Sequence, residues 1–141
     1  MFKVQENVKH GAGKGADKAP ITKTVEGKHF VRFSHYEDDL RIDWTKRCLL
    51  PGTYTTTYLD AKYCLDEEID PRVRYALPNA LEVKYTFCIK PFVNTLIKKG
   101  LVEPANGQPA TGVEVIFVQG TQRNTVSAAV DIKNSDQICQ E

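Results

Sequence analysis

Two charged residues lie in otherwise apolar segments of this sequence, and their types could support chemistry. Glu114 is the one acid of the segment VEVIFV (113–118), and Arg32 is the one cation of FVRFS (30–34). Because an unpaired charge is costly to bury, each side chain must be ion-paired, hydrogen-bonded or open to a cleft. A structural ion pair explains either residue. Alternatively, Arg32 binds an anion such as phosphate, which suits its planar fork of donors, and Glu114 takes part in catalysis.

The segments around Glu114 favour a role in chemistry. The preceding segment GLVEPANGQPATG (100–112) is a loop rich in Gly and Pro, and loops of this kind can face a ligand. A second segment, GTYTTT (52–57), carries a run of hydroxyl groups. Threonine and tyrosine suit a strand by shape alone, but the same side chains can also form the polar wall of a cleft. Both interpretations of residues 52–57 stay open.

The cysteines and histidines do not predict a metal site. Cysteines stand at positions 48, 64, 88 and 139 without a C-x-x-C pair, and the histidines at 10, 29 and 35 do not fall at ligand spacing with them. A disulfide between Cys48 and Cys64, or between Cys88 and Cys139, is compatible with the sequence. Reduced thiols are the favoured state, and we expect no metal ion.

Patterns of apolar residues predict the elements that must position these candidates. Strands are predicted at residues 28–36, 52–57, 81–90, 112–118 and 125–133. Helices are predicted at residues 36–47, 58–68 and, as a short helix or turn, 92–100. Leu40 and Trp44 would form a pair on the first helix. The second helix would begin at a capping box of Thr57 and Asp60 and would bury Leu59 and Tyr63.

The order of these elements indicates an α+β domain with a small split or bent antiparallel-rich sheet and two or three short helices. Residues 29–141 are expected to form this single domain, since a chain of 141 residues is long enough for one core. Residues 1–28 are poor in large apolar side chains and are expected to be a flexible leader or linker. Residues 134–141 are predicted to be a polar tail.

The composition excludes several classes of protein. With 19 basic and 18 acidic residues, the chain lacks the basic excess of a protein that mainly coats nucleic acid, although a local basic face stays compatible. No apolar run approaches the roughly 18 residues that a membrane-spanning helix needs. Residues 1–15 also lack the apolar core of a signal peptide.

Three motifs together resemble a known family. They are PGTYTTTYLDA (51–61), RYALPN (74–79) and GLVEPANGQPATGVEVIF (100–117). The series resembles small bacterial ADP-ribosyltransferase-like effector toxins, the cargo of polymorphic toxin systems, over roughly residues 30–126. The sequence departs from the family pattern at Ala110 and Thr111, where glycines are usual. Gly112 also replaces the Gln or Glu that many such enzymes carry two residues before the catalytic glutamate.

The resemblance implies a cleft that binds NAD, as the substrate, between the two parts of a split sheet. Arg32 matches the arginine that such folds place on the phosphates or ribose of NAD, and Glu114 matches the catalytic glutamate. That glutamate would stabilise the cationic sugar as nicotinamide leaves. The strand implied to shape the nicotinamide pocket supplies Tyr54, Thr55 and Thr56. Gln108 lies in the loop implied to contact the acceptor.

As partners, the resemblance implies a macromolecular acceptor of ADP-ribose, or water, and a cognate immunity protein that covers the cleft. It also implies delivery into a target cell without a classical signal peptide, and action in the cytoplasm there. An alternative interpretation involves no catalysis: a small β-rich phage or virion protein, or a module that binds single-stranded nucleic acid. The short predicted strands and the leader rich in Lys and Gly favour this alternative.

Overall fold

The computed structural model of the protein describes residues 14–77, 82–102 and 112–140. The strands in these residues are β1 (Ile21–Lys23), β2 (Phe30–Ser34), β3 (Ile42–Asp43), β4 (Cys48–Leu49), β5 (Thr53–Thr57), β6 (Tyr85–Ile89), β7 (Leu96–Leu101), β8 (Val113–Phe117) and β9 (Val130–Asp131). The helices are α1 (Lys14–Asp17), α2 (Tyr58–Asp66), α3 (Pro71–Arg74) and a 3₁₀ helix (Ile132–Gln137).

Seven of the described strands form one antiparallel sheet in the order β1–β7–β8–β5–β2–β6–β9, and β3 and β4 form a separate hairpin. The large sheet bends at β5. Residues 53–55 of this strand pair with β8, whereas Thr56 and Thr57 pair with Val31 and Phe30 of β2. These features confirm the predicted α+β class with a bent, antiparallel-rich sheet.

Different elements cover the two faces of the sheet. On the face here called the hairpin face, β2, β6 and β8 pack against the β3–β4 hairpin through Phe30, Phe87, Ile89, Val115, Phe117, Ile42 and Leu49. On the opposite face, here called the helix face, β2 packs against the helices through Val31, Phe33, Ala61, Cys64 and Tyr75. Because successive side chains of a strand point to opposite faces, the position of a residue in the ladder decides which environment it enters.

Helix α2 begins where the sequence predicts. Its N-cap is Thr57, whose side-chain oxygen accepts a hydrogen bond from the backbone N–H of Asp60 at 3.2 Å. The buried residues of α2 are Ala61 and Cys64, whereas Leu59 is 73% exposed and Tyr63 is 53% exposed, so the predicted burial of these two was wrong. No helix among the described residues has the length and apolar character that crossing a membrane requires.

The helix predicted at residues 36–47 is absent, and turns leading into the β3–β4 hairpin take its place. Aspartates cause the difference, since their side chains bond nearby backbone N–H groups and so compete with a helix. The carboxylate of Asp39 accepts from the N–H of Arg41, and that of Asp43 accepts from the N–H of Thr45. The predicted Leu40 and Trp44 helix pair does not form: Leu40 is 59% exposed, and the ring of Trp44 packs on Phe87 of the core, with centroids 5.6 Å apart.

Of the short helix or turn predicted at residues 92–100, a turn is found at residues 93–94, whereas the rest is strand β7. It pairs with β8 on one side and with β1 on the other, so strands distant in sequence determine its conformation. Gly100, which was expected to end the element, lies within the strand directly opposite Glu114.

Both ends of the described chain contribute to the fold. Residues 21–23 form β1, so the sheet begins before the predicted boundary at residue 28, while residues 1–13 lie outside the described part. At the other end, the predicted strand 125–133 is reduced to a bridge at Val126 and the two-residue β9. It stops because Asp131 caps the 3₁₀ helix, and the expected polar tail places Ile138 in the core.

Candidate functional site

Arg32 forms a buried ion pair on the hairpin face. Its side chain is 2% exposed, its Nε lies 2.8 Å from Oδ2 of Asp39, and its Nη1 donates to the carbonyl oxygen of Tyr54 at 2.9 Å. The guanidinium thus fills the gap where β2 and β5 diverge, and it satisfies a carbonyl group there. Burial alone would raise the pKa of Asp39, but the charge and hydrogen bonds of Arg32 outweigh burial and hold that pKa below its usual value of 3.8.

Glu114 is fully buried on the helix face. It follows Val113 on β8 and lies opposite Gly100, so no β7 side chain stands directly across from its carboxyl group. On the other side lies β5, whose Tyr54 pairs with Ile116 and shares the face of Glu114.

The structure therefore divides the residues predicted to hold NAD between two faces of one sheet. Tyr54, Thr56 and Glu114 lie together on the helix face. Arg32 and Thr55 lie on the hairpin face, where the hydroxyl of Thr55 donates to the carbonyl oxygen of Val115 at 3.1 Å. The substrate-loop candidate Gln108 lies outside the described residues.

Tyr54 connects β5 to α1. Its hydroxyl donates to the carboxylate of Asp17 at 3.2 Å, and its ring packs with Ala16 and Ile116. Burial, the nearby carboxylate of Asp17 and the charge of Glu114 raise the pKa of Tyr54 to about 12. The phenol therefore stays protonated, and remains a hydrogen-bond donor, over the whole neutral range.

A second acid, the half-buried Asp60, organises a polar cluster beside Glu114. Its carboxylate accepts hydrogen bonds from Arg74 Nη2 at 2.6 Å, from the Tyr75 hydroxyl at 2.7 Å, and from the N–H of Val113 at 3.3 Å. Thr56 Oγ1 lies 3.4 Å from the same carboxylate. Burial opposes ionisation, but these donors hold the pKa of Asp60 below its usual value.

This cluster was not predicted from the sequence. The capping motif of Thr57 and Asp60 located the start of α2, but capping uses the backbone N–H of Asp60 and leaves its carboxylate free to bond elsewhere. The partners Arg74 and Tyr75 come from α3 and the turn that follows it. No local spacing indicates that this turn folds back onto the first turn of α2.

Val102 and Gly112, the described residues on either side of positions 103–111, bond to each other and to α3. The N–H of Val102 donates to the carbonyl oxygen of Gly112 at 2.8 Å. The N–H of Gly112 donates in turn to the carbonyl oxygen of Arg74 at 3.0 Å. A Cβ at Gly112 would lie 2.5 Å from Cε1 of Tyr75, so only glycine allows this approach. Gly112 thus holds the start of β8 against Tyr75, two residues before Glu114.

A cationic groove of about 470 Å³ lies elsewhere, where β1, β7 and the start of α2 meet. Its lining includes Lys23, Lys28 and Lys99, the aromatic side chains of Phe30 and Tyr58, and no acidic residue among those described. Lys99 lies opposite Val115 on β8 and so belongs to the hairpin face. Such a surface suits an anionic ligand.

The favoured reduced state of the cysteines was wrong for one pair. Cys88 of β6 and Cys139, which follows the 3₁₀ helix, form a disulfide, one of the two pairings compatible with the sequence. Cys48 and Cys64 are free. A nitrogen of His29 and both sulfurs of the disulfide lie within 4.8 Å of one another. Sequence spacing hides this group because the sheet register, not proximity in the chain, brings it together.

Comparisons with protein-family models, with curated proteins and with solved structures find no match to this chain. The likeness to ADP-ribosyltransferase toxins thus depends on the three sequence motifs alone. Assignments of function depend on the chemistry of the residues described above.

Proposed function

We propose that this domain cleaves the bond between nicotinamide and ribose in NAD and passes ADP-ribose to water or to a macromolecular acceptor. One observation carries the proposal. Glu114 is a fully buried acid on the same face of the sheet as Tyr54 and Thr56, and it lies two residues after Gly112. The sequence motifs assign the catalytic role to the same glutamate.

The chemistry requires a carboxylate at this position. When the C1′–N bond breaks, its electron pair leaves with nicotinamide, which becomes neutral, and positive charge develops on the ribose. A carboxylate stabilises such a sugar cation, as in glycoside hydrolysis. The interaction is stronger in a buried site than in water because the effective dielectric constant is lower. Water or an acceptor group then attacks C1′ and loses its proton.

Under this proposal Arg32 is not the phosphate-binding group, because Asp39 and the sheet already hold it. We assign that role to Lys98. Lys98 belongs to β7 and lies opposite Ile116 of β8, so its side chain is on the same face as Glu114. Its Nζ donates to the carbonyl oxygen of Asp17 at 3.3 Å. Lys98 is half-buried, so its ammonium group can exchange this contact for a phosphate of the substrate.

The test is nicotinamide release from NAD by the purified chain, with and without cell lysate as a source of acceptor. Glu114→Gln keeps the shape of the side chain and should lower turnover about 10²–10³-fold, as loss of one preorganised electrostatic group does. Glu37→Gln, a change at an exposed glutamate, is the matched control and should leave turnover unchanged. Wild-type protein that releases no nicotinamide under either condition would overturn the proposal, as would full activity in Glu114→Gln.

Adjacent lysines provide a second control. Lys98 and Lys99 are neighbours on β7, yet their side chains lie on opposite faces of the sheet. Lys98→Ala should raise the KM for NAD with little change in kcat, and Lys99→Ala should change neither. Equal effects of the two substitutions would contradict the assignment of Lys98.

Partners and location are proposed on the sequence resemblance. They are a macromolecular acceptor, a cognate immunity protein, and delivery into a target cell where the domain acts in the cytoplasm. Loss of nicotinamide release when a candidate immunity protein is added at equal concentration would test this partner.

The cationic groove favours a second candidate function, the binding of single-stranded nucleic acid. Its lysines can contact phosphates, and Tyr58 offers an aromatic ring on which a base can stack. We expect an oligothymidylate to bind with an affinity that falls steeply with salt. Lys99→Ala should weaken this binding and Lys98→Ala should not, the reverse of the order expected for NAD cleavage. No binding at low salt would exclude this candidate.

A further inference from the structure

Three residues with metal-ligating side chains meet at the junction of β2, β6 and the C-terminal segment. Cys88 pairs with Val31 in the sheet, and His29 stands two residues before Val31, so both belong to the helix face. Cys139 reaches the same point after the 3₁₀ helix. Sulfur and imidazole nitrogen are the ligands that Zn²⁺ prefers in proteins.

The spacing of the three groups fits one tetrahedral ion. Zinc bonds of about 2.0–2.3 Å place the ligand atoms about 3.4–3.8 Å apart. The His29 nitrogen and the two sulfurs already lie within 4.8 Å of one another, so small side-chain rotations suffice once the sulfurs separate. The disulfide occupies the position of the ion, so the two states exclude each other.

We propose that reduction of the Cys88–Cys139 disulfide opens a Zn²⁺ site with two thiolate ligands and the imidazole of His29. The reductant, a dithiol or a phosphine, supplies two electrons that break the S–S bond, and each sulfur takes up a proton. Zn²⁺ then displaces both thiol protons and keeps its charge throughout. The fourth position holds water, as in zinc sites with three protein ligands.

The surroundings allow entry of a reductant and of the metal. Cys139 and His29 are half-buried, and Cys88 and Cys139 both line a pocket of about 180 Å³. Replacing the disulfide by the metal ion would keep the C-terminal segment attached to β6, because Cys88 and Cys139 hold the two together in either state. In an oxidising compartment the disulfide would make this link, and in a reducing compartment the metal ion would make it.

The test is titration of the full chain with Co²⁺, a coloured substitute for Zn²⁺. The disulfide is first reduced with a phosphine, which takes up oxygen from water as the thiols form, and the phosphine is then removed under nitrogen. The reduced chain should bind one equivalent of Co²⁺ with a sulfur-to-metal charge-transfer band, and Zn²⁺ should abolish that band. The oxidised chain should show no band. A reduced chain without the band, or an oxidised chain with it, would overturn the proposal.

Two variants make the test specific. His29→Asn should lower the affinity for Co²⁺ at least about 10-fold, since even an indirect partner of a metal ligand has an effect of that size. Its disulfide is intact, so its folding can be checked by circular dichroism before reduction. Cys48→Ser removes a free thiol outside the group and should leave binding unchanged. Undiminished affinity in a folded His29→Asn variant would contradict the site.

Discussion

The two faces of the central sheet each bury one charged residue of an apolar strand, and the two residues differ in their surroundings. On the hairpin face, Arg32 meets Asp39 at 2.8 Å and a backbone carbonyl group of β5, all within the core. On the helix face, Glu114 lies beside the polar cluster of Asp60, close to where segment 103–111 joins the fold. The first arrangement closes a gap in the sheet, whereas the second includes a cluster of hydrogen bonds at the first turn of α2.

The difference shows that a charge inside an apolar strand does not by itself indicate a site. Both residues looked alike in sequence, because each interrupted an apolar run. What separates them is the nearest acid: Asp39 pairs with Arg32 itself, whereas Asp60 of α2 bonds the N–H of Val113, next to Glu114. Substitutions on each face can therefore test this separation.

The largest effect is expected on the hairpin face. Asp39→Asn removes the charge that pairs with Arg32 and leaves a buried cation uncompensated, which should lower the free energy of unfolding by about 3–5 kcal/mol. Urea denaturation followed by circular dichroism measures the change. Asp38→Asn is the matched control: it makes the same chemical change one residue earlier, at an exposed side chain. Equal stability of the two variants would remove the structural role of the pair.

The sequence predicted the parts of the fold that depend on local pattern. Strands β2, β5, β6 and β8 follow from runs of apolar, aromatic and β-branched residues, and the start of α2 follows from the cap at Thr57. The bent antiparallel sheet follows from their order. The sequence also identified Glu114 as the acid of a two-sided apolar strand, and it is fully buried.

The remaining features depend on contacts between distant segments. Strand β7 forms because β1 and β8 pair with it, and the predicted helix at 36–47 fails because Asp39 and Asp43 bond the backbone around them. The division of the predicted NAD residues between two faces follows from a register that spacing cannot reveal, since a shift of one residue exchanges the faces.

A smaller effect is the loss of folding stability at low pH, which compares Asp39 on the hairpin face with Asp60 on the helix face. Asp39 and Asp60 both have a pKa below the usual 3.8 in the folded chain, so the unfolded chain binds more protons at low pH. Each carboxylate therefore contributes stability that is fully present above about pH 4 and is lost as the pH falls towards the lowered pKa. The free energy of unfolding falls by about 1.4 kcal/mol for each unit by which the pKa in the folded chain lies below that in the unfolded chain.

Urea midpoints at pH 7, 5 and 3 measure this loss. The wild-type chain should change little between pH 7 and 5 and should lose stability between 5 and 3. Asp39→Asn and Asp60→Asn should each show a shallower loss in that lower interval than the wild type. A variant whose loss matches that of the wild type would show that its carboxylate is not held ionised by its partners.

The smallest effect is expected at the start of α2. Thr57→Ala removes the oxygen that accepts from the N–H of Asp60 and should lower the free energy of unfolding by about 1 kcal/mol. Thr45→Ala is the control, since Thr45 is exposed in the hairpin turn and its hydroxyl caps no helix. Urea denaturation of both variants gives the difference, and equal midpoints would exclude a role for the cap.

The location of this effect matters more than its size. The first turn of α2 positions Asp60, so Thr57→Ala should speed hydrogen exchange at the N–H of Asp60 and of Val113, which bonds its carboxylate. The N–H of Arg47, which donates to the carbonyl oxygen of Asp43 in the hairpin, should exchange at the wild-type rate. Faster exchange at Arg47 as well would mean that the two faces open as one unit, and the distinction between the Arg32–Asp39 pair and the Asp60 cluster would then be lost.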